Sequence, residues 1–139
     1  MISFNTAIEG FKLKNPDKLK SWLQEIIQKE HQKIEGEIVY IFTDDTYLYS
    51  INKQFLNHDT FTDIITFDSS VDNDIISGEI YVSIERIKEN AQTLHQDFES
   101  ELARVMVHGI LHLIGFKDKT SEEKAIMRVQ EDNCLNLLP

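Results

Sequence analysis

Two histidines, His108 and His112, stand four residues apart in a segment whose apolar residues, Leu102, Val105, Met106, Leu111 and Ile114, recur as on a packed helix. A helix over 102–114 places both imidazoles on one face, about 6 Å apart along the axis. Polar rings in so apolar a helix need partners, and a shared metal ion satisfies both at once. Gly115 follows where the helix should end, and a glycine there takes the conformation that reverses the chain. Asp118 is then the residue placed to return as a third ligand. Two neutral nitrogens, one carboxylate and a vacant position describe a catalytic metal site, because structural zinc is normally enclosed by four protein ligands.

The remainder of the chain has to supply a frame for that helix. Residues 2–5, ISFN, suit a short edge strand, and Asn15-Pro16 suits an N-cap with proline at the first helical position. The spacing of Leu19, Trp22, Leu23, Ile26 and Ile27 predicts a helix to about His31, with Lys18, Lys20, Lys29 and Lys33 off the packed face. After Gly36, the unbroken run EIVYIF suits a central strand covered on both faces. Asp44 is placed to cap a helix of about 45–56 carrying Tyr47, Leu48, Ile51 and Phe55. A polar break, NHDTFTD, precedes a strand, IITF. The stretch DSSVDNDIISG reads as loop and turn, and GEIYVS alternates like a half-buried strand. Ser83 and Asp97 are placed to cap two further helices, the second running into His108 and His112. Thr120 with Glu123 forms a capping box ahead of a terminal helix holding Ile126, Val129, Leu135 and Leu138. The order β-α-β-α-β-β followed by helices implies one α/β (α+β) domain over residues 1–139, a small mixed sheet of about four strands with surrounding helices.

A chain of 139 residues supports one hydrophobic core. Its single cysteine, Cys134, has no partner for an internal disulfide, its first residues lack a basic and apolar leader, and its longest strand-like apolar run, residues 38–42, is far too short to span a bilayer. A cytoplasmic protein without membrane attachment is expected. Net charge is −10, unevenly placed: residues 41–100 hold twelve acids against three bases, whereas 101–139 hold six against five. A polyanion would be repelled by the average field, so a nucleic-acid role requires a local basic patch or a protein partner.

In the zinc peptidase signature H-E-x-x-H the residue after the first histidine is the general base, and here it is Gly109, so peptide hydrolysis by that route lacks its base. Gly109 either lets another element or a substrate approach the metal or simply eases helix packing. Arg104 and Glu101, one and two turns before His108, lie on the ligand face and suit a phosphate clamp and a proton acceptor; the competing reading is a surface ion pair. His31, His58 and His95 stand apart and read as surface histidines.

The stretch HGILHLIGF resembles the H-G-x-L-H-L-x-G-[YF] signature of the YbeY family, rRNA maturation factors also described as metal-dependent endoribonucleases. INKQFLNHDTFTDIITF resembles that family's L-N-x-x-Y-R-x-x-D-x-P-T-D-V-L-S-F block, and SGEIYVSIERIKENA its G-D-I-x-I-S segment with the following helix, in the same order from Ile51 to Asp118. The resemblance implies a small mixed sheet with helices, one zinc ion held by three side chains, and single-stranded rRNA as substrate. His108 and His112 match the first two ligands. The family's usual third ligand is a histidine ten residues after the first, where this chain has Asp118; Lys117 stands where aspartate is common, Leu56 replaces an arginine thought to engage RNA, and Phe61 replaces the proline. A site with two nitrogens and one oxygen also suits manganese or another divalent ion.

These readings lead to a metal-dependent single-strand endoribonuclease in rRNA maturation, notably of the small subunit, and in ribosome quality control. His108, His112 and Asp118 are its expected metal ligands, Arg104 the catalytic cation, and one divalent ion, zinc first, the cofactor. Ribosomal RNA, the pre-ribosomal small subunit and a ribosomal protein are the expected partners. The alternatives are a non-catalytic ribosome assembly factor with a mainly structural metal, and a metallohydrolase with another substrate. Whether a 2′-hydroxyl or water attacks is left open by the sequence.

Overall fold

The computed structural model describes residues 1–55 and 62–139. Leu56, His58, Phe61 and the first five residues of the expected polar break lie outside the described residues. In chain order the elements are β1 (Ile2–Thr6), α1 (Pro16–Glu25, continued by a π-helical turn Ile26–Glu30), β2 (Ile34–Thr43), α2 (Asp45–Phe55), β3 (Ile64–Asp68), β4 (Ile75–Ser83), α3 (Ile84–Thr93), α4 (Phe98–Ile114) and α5 (Ser121–Leu135). The sheet order is β1-β2-β4-β3, with β2 parallel to both neighbours and β3 antiparallel to β4, so the expected mixed four-stranded sheet is present with β1 at an edge and β2 inside.

Several local expectations needed correction. β2 begins at Ile34, before Gly36, and its pairing with β4 shifts register between Glu35 and Ile38. β4 likewise starts at Ile75, inside the stretch read as loop. Ile38, Tyr40 and Phe42 are fully buried, but Val39 and Ile41 on the opposite face of β2 are only half-buried, so this strand is covered completely on one side alone. Asn15 takes a left-handed conformation at the start of α1 and makes no side-chain cap, leaving Pro16 to begin the helix. By contrast Asp44, Ser83, Asp97 and Thr120 each accept a backbone N–H at the helix start they precede, and Glu123 completes the capping box. In α5 the buried stripe is Met127, Glu131 and Cys134, while Ile126 and Val129 face outward.

Helix α4 is mostly buried and crosses the sheet on the side of the main core. The fully buried Tyr40 hydroxyl donates to the Met106 carbonyl at 2.6 Å, tying the middle of α4 to β2. At Gly109 the approach is close: a Cβ there would lie 2.9 Å from Ile80 Cγ2 and 3.2 Å from Ile64 Cδ1. Of the two readings of this glycine, the structure supports close helix packing. A Gly109→Ala substitution is therefore expected to cost about 1–3 kcal/mol, the usual penalty of overpacking, measured as a lower urea midpoint with unchanged slope.

Candidate metal centre

Each element contributes to the site for a local reason. Gly115, at φ 127, closes α4: its N–H bonds to the His112 carbonyl and the Phe116 N–H to the Leu111 carbonyl, the paired bonds of a Schellman closure. Phe116 packs partly onto the core, and the chain turns so that Asp118 comes back over the end of α4. Its carboxylate then faces both imidazoles, with Oδ2 3.2 Å from His108 Nε2 and Oδ1 3.4 Å from His112 Nε2. The two rings are 4.7 Å apart between centroids.

The three side chains expected as ligands are thus brought together, each with one ligand atom within 4.8 Å of the others. A tetrahedral ion with ligands at about 2.0–2.2 Å sets its donors about 3.3–3.6 Å apart. The carboxylate–imidazole separations, 3.2 and 3.4 Å and each to a different carboxylate oxygen, lie close to that edge. Donor type and spacing fit a divalent ion, and no fourth histidine, cysteine or carboxylate joins the group among the described residues.

Behind His108 stands Glu131, which the sequence reading missed. Its Oε2 lies 2.6 Å from His108 Nδ1, and its Oε1 accepts from Arg104 at 2.9 Å. The hydrogen bond at Nδ1 leaves Nε2 directed at Asp118, the arrangement by which an outer carboxylate orients a metal-binding histidine. A glutamate on the stripe with Met127 and Cys134 was the available signal, obscured because Ile126 and Val129 suggested a different face. The phase of α5 is held by the Trp22 indole, which donates to the Cys134 carbonyl at 2.8 Å. Arg104 bridges the same two helices, donating also to Asp132 at 2.7 Å.

Electrostatics separate the two imidazoles. Burial by itself would lower the His108 pKa, but the Glu131 hydrogen bond and charge, with Asp118 and Asp63, outweigh it and raise it above the ordinary value. His112 is lowered, by burial and then by the charge of His108.

These groups open on a cleft of about 510 Å³. One wall is the face of β3 bearing Ile64, Thr66 and Asp68; the alternate residues Ile65 and Phe67 turn to Leu48 and Ile51 of α2. The Thr66 hydroxyl is buried with no hydrogen-bond partner among the described residues. Glu101, Arg104, His108 and His112 of α4, with Arg128 and Glu131 of α5, form the other side. Asp63, just ahead of β3, also lines the cleft, and burial raises its pKa. A carboxyl raised in the fold costs stability once ionised; the metal-free protein regains it as pH falls through the folded pKa toward the ordinary range. Asp63→Asn is accordingly expected to raise Tm at pH 7 by a few degrees, with the gain shrinking as the pH is lowered, read by thermal melts across pH.

Comparison with known proteins agrees with this architecture. The family model described as Endoribonuclease YbeY matches residues 5–139. The Flavobacterium psychrophilum endoribonuclease YbeY is 50% identical over 137 residues, covering 99% of this chain and 96% of that protein. The Flavobacterium johnsoniae endoribonuclease YbeY is 52% identical over 132 residues, covering 95% and 93%. The solution structure of a Thermotoga maritima protein superposes with a TM-score of 0.67 at 32% identity, covering 99% of this chain and 89% of that one. With the signature helix, the sheet order and near full-length similarity in agreement, this chain belongs to the YbeY endoribonuclease family.

Proposed function

We propose that this chain is a metal-dependent endoribonuclease that cuts single-stranded ribosomal RNA during maturation of the small-subunit rRNA and in ribosome quality control. The observation that carries the reading is the convergence of His108, His112 and Asp118 in the lining of a cleft of about 510 Å³. The family supplies the reaction class, and the donor set supplies the means.

His108, His112 and Asp118 would hold a divalent ion, zinc being the proposed one, which would supply polarisation of a phosphoryl oxygen and a lowered pKa, toward about 7, for water. The chain's own groups supply the rest. His108 and His112 present Nε2, and Glu131 keeps the His108 proton on Nδ1. Glu101, buried on the cleft wall, has its carboxyl pKa raised by burial and by Asp63, which makes it a stronger proton acceptor than an ordinary carboxylate. Arg104 brings a guanidinium to the same wall, held in place by Glu131 and Asp132, and is proposed to balance developing negative charge. The cleft volume is that of a small-ligand site and admits a nucleotide or two of a flexible strand.

No helix among the described residues is long and apolar enough to cross a membrane. The proposed setting is the cytoplasm, on the pre-ribosomal small subunit and in contact with a ribosomal protein, which would offset the repulsion between RNA and a chain of net charge −10. The test is cleavage of a labelled single-stranded rRNA fragment and its duplex by protein stripped of metal and then reloaded with zinc or manganese. Metal-restored cutting of the single strand supports the reading; an intact single strand under every loading condition refutes it.

A further inference from the structure

We propose that Arg128 is the residue that binds the RNA phosphate beside the metal centre, an inference that rests on the endoribonuclease reading. The cleft contains five carboxylates, from Asp63, Asp68, Glu101, Asp118 and Glu131, against two guanidiniums, Arg104 and Arg128. A polyanion entering such a site has to meet a positive group that is not already neutralised. Arg104 is fixed in place by Glu131 at 2.9 Å and Asp132 at 2.7 Å, which suits a group aimed at the reacting phosphate and leaves it little charge or freedom to capture the rest of the strand.

Arg128 differs on every count. It lies on α5 one turn before Glu131, lines the same cleft, is exposed, and makes no hydrogen bond or close ion pair with any described residue, although its charge acts at longer range on Glu101. Its fork of N–H donors matches a phosphate's oxygens, and its exposure lets it meet the strand without the loss of an internal partner. Lys124, one turn earlier on α5, is also exposed and extends the cationic line along the helix. In the C-terminal third of the chain acids outnumber bases by only one, six against five, whereas in residues 41–100 they stand twelve against three, so α5 is where a strand meets the least repulsion.

The experiment compares wild type, Arg128→Ala, Arg128→Lys and Lys12→Ala, the last making the same charge change at an exposed lysine outside the cleft. All are loaded with zinc to equal metal content and assayed on a single-stranded rRNA fragment over a range of salt. Arg128→Ala is expected to raise KM about tenfold and to flatten the log-log salt dependence of kcat/KM by about 0.7. Arg128→Lys should keep the slope with a smaller rise in KM, and Lys12→Ala should match wild type. Equal behaviour of Arg128→Ala and wild type, or equal losses in Arg128→Ala and Lys12→Ala, would overturn the assignment while leaving the endoribonuclease reading intact. A wild-type protein that cuts no RNA under any metal loading would instead remove that reading and this one together.

Discussion

Replacement of His112 by alanine is expected to abolish metal-dependent RNA cleavage and metal-induced stabilisation while leaving the fold in place. His112 is partly exposed at the end of α4, and its imidazole, lowered by burial and by His108, is mostly uncharged near neutral pH. Its removal strands no buried charge, so the metal-free protein should melt within about 0.5 kcal/mol of wild type. The effect on metal is much larger. Changing a residue behind a ligand typically costs about 10–100-fold in metal affinity, and removing one of the three proposed ligands is expected to cost more. Wild type should gain about 2.7 kcal/mol of stability at a free metal concentration one hundred times its Kd; the variant should gain almost none at that concentration. Thermal melts with and without zinc, beside cleavage assays, check both halves. A variant that retains activity without retaining metal would remove the metal from the mechanism.

The second large effect is expected at Glu131, where two substitutions separate structure from metal tuning. Glu131→Ala leaves Arg104 and His108 without a buried carboxylate and is expected to destabilise by about 3 kcal/mol, the lower end for a broken buried pair because Asp132 still holds Arg104. Glu131→Gln keeps an acceptor for Nδ1–H but loses the charge. It should fold, bind metal about 10–100-fold more weakly, and respond differently to pH.

The sign of that response follows from the pair. Burial would raise the Glu131 pKa, but His108 and Arg104 outweigh it and hold the pKa below the usual carboxylate value, so its stabilising contribution is present at neutral pH and is lost as pH falls through the folded pKa. His108 is raised, so its contribution is present below the ordinary histidine value and is lost as pH rises through the folded pKa. Metal-free wild type should therefore be stabilised between those two limits, and Glu131→Gln should flatten the profile on both sides. Melting curves from acid to mildly alkaline pH, with metal affinity by competition against a chelator, make the test. An unchanged profile with unchanged affinity would show that Glu131 serves packing alone.

Much of the fold was legible because its signals are local. The caps at Asp44, Ser83, Asp97 and Thr120 act within one turn of their own helices. Gly115 reverses the chain within its own neighbourhood, which is why the position of Asp118 is legible in the sequence. The capping reading of Asn15 failed because the backbone there enters a left-handed conformation that polar residue type alone does not specify. The starts of β2 and β4 were set too late because they pair with each other, Ile34 with Ile75, and that pairing extends both strands beyond their apolar runs.

What the sequence by itself determined was the histidine pair on one helical face, the glycine turn and the returning aspartate, since each depends on backbone geometry over a few residues, together with the presence of four strands, which their apolar runs mark before any pairing. Only the tertiary structure decided which side of α5 faces inward, and with it the placement of Glu131 on His108, the engagement of Arg104 and the exposure of Arg128. These depend on contacts across more than twenty residues of chain, held by the Trp22 bond to Cys134 and the burial of Met127. Helical periodicity admits several faces of α5, and the free energy that selects one comes from surfaces that meet only when the domain has closed.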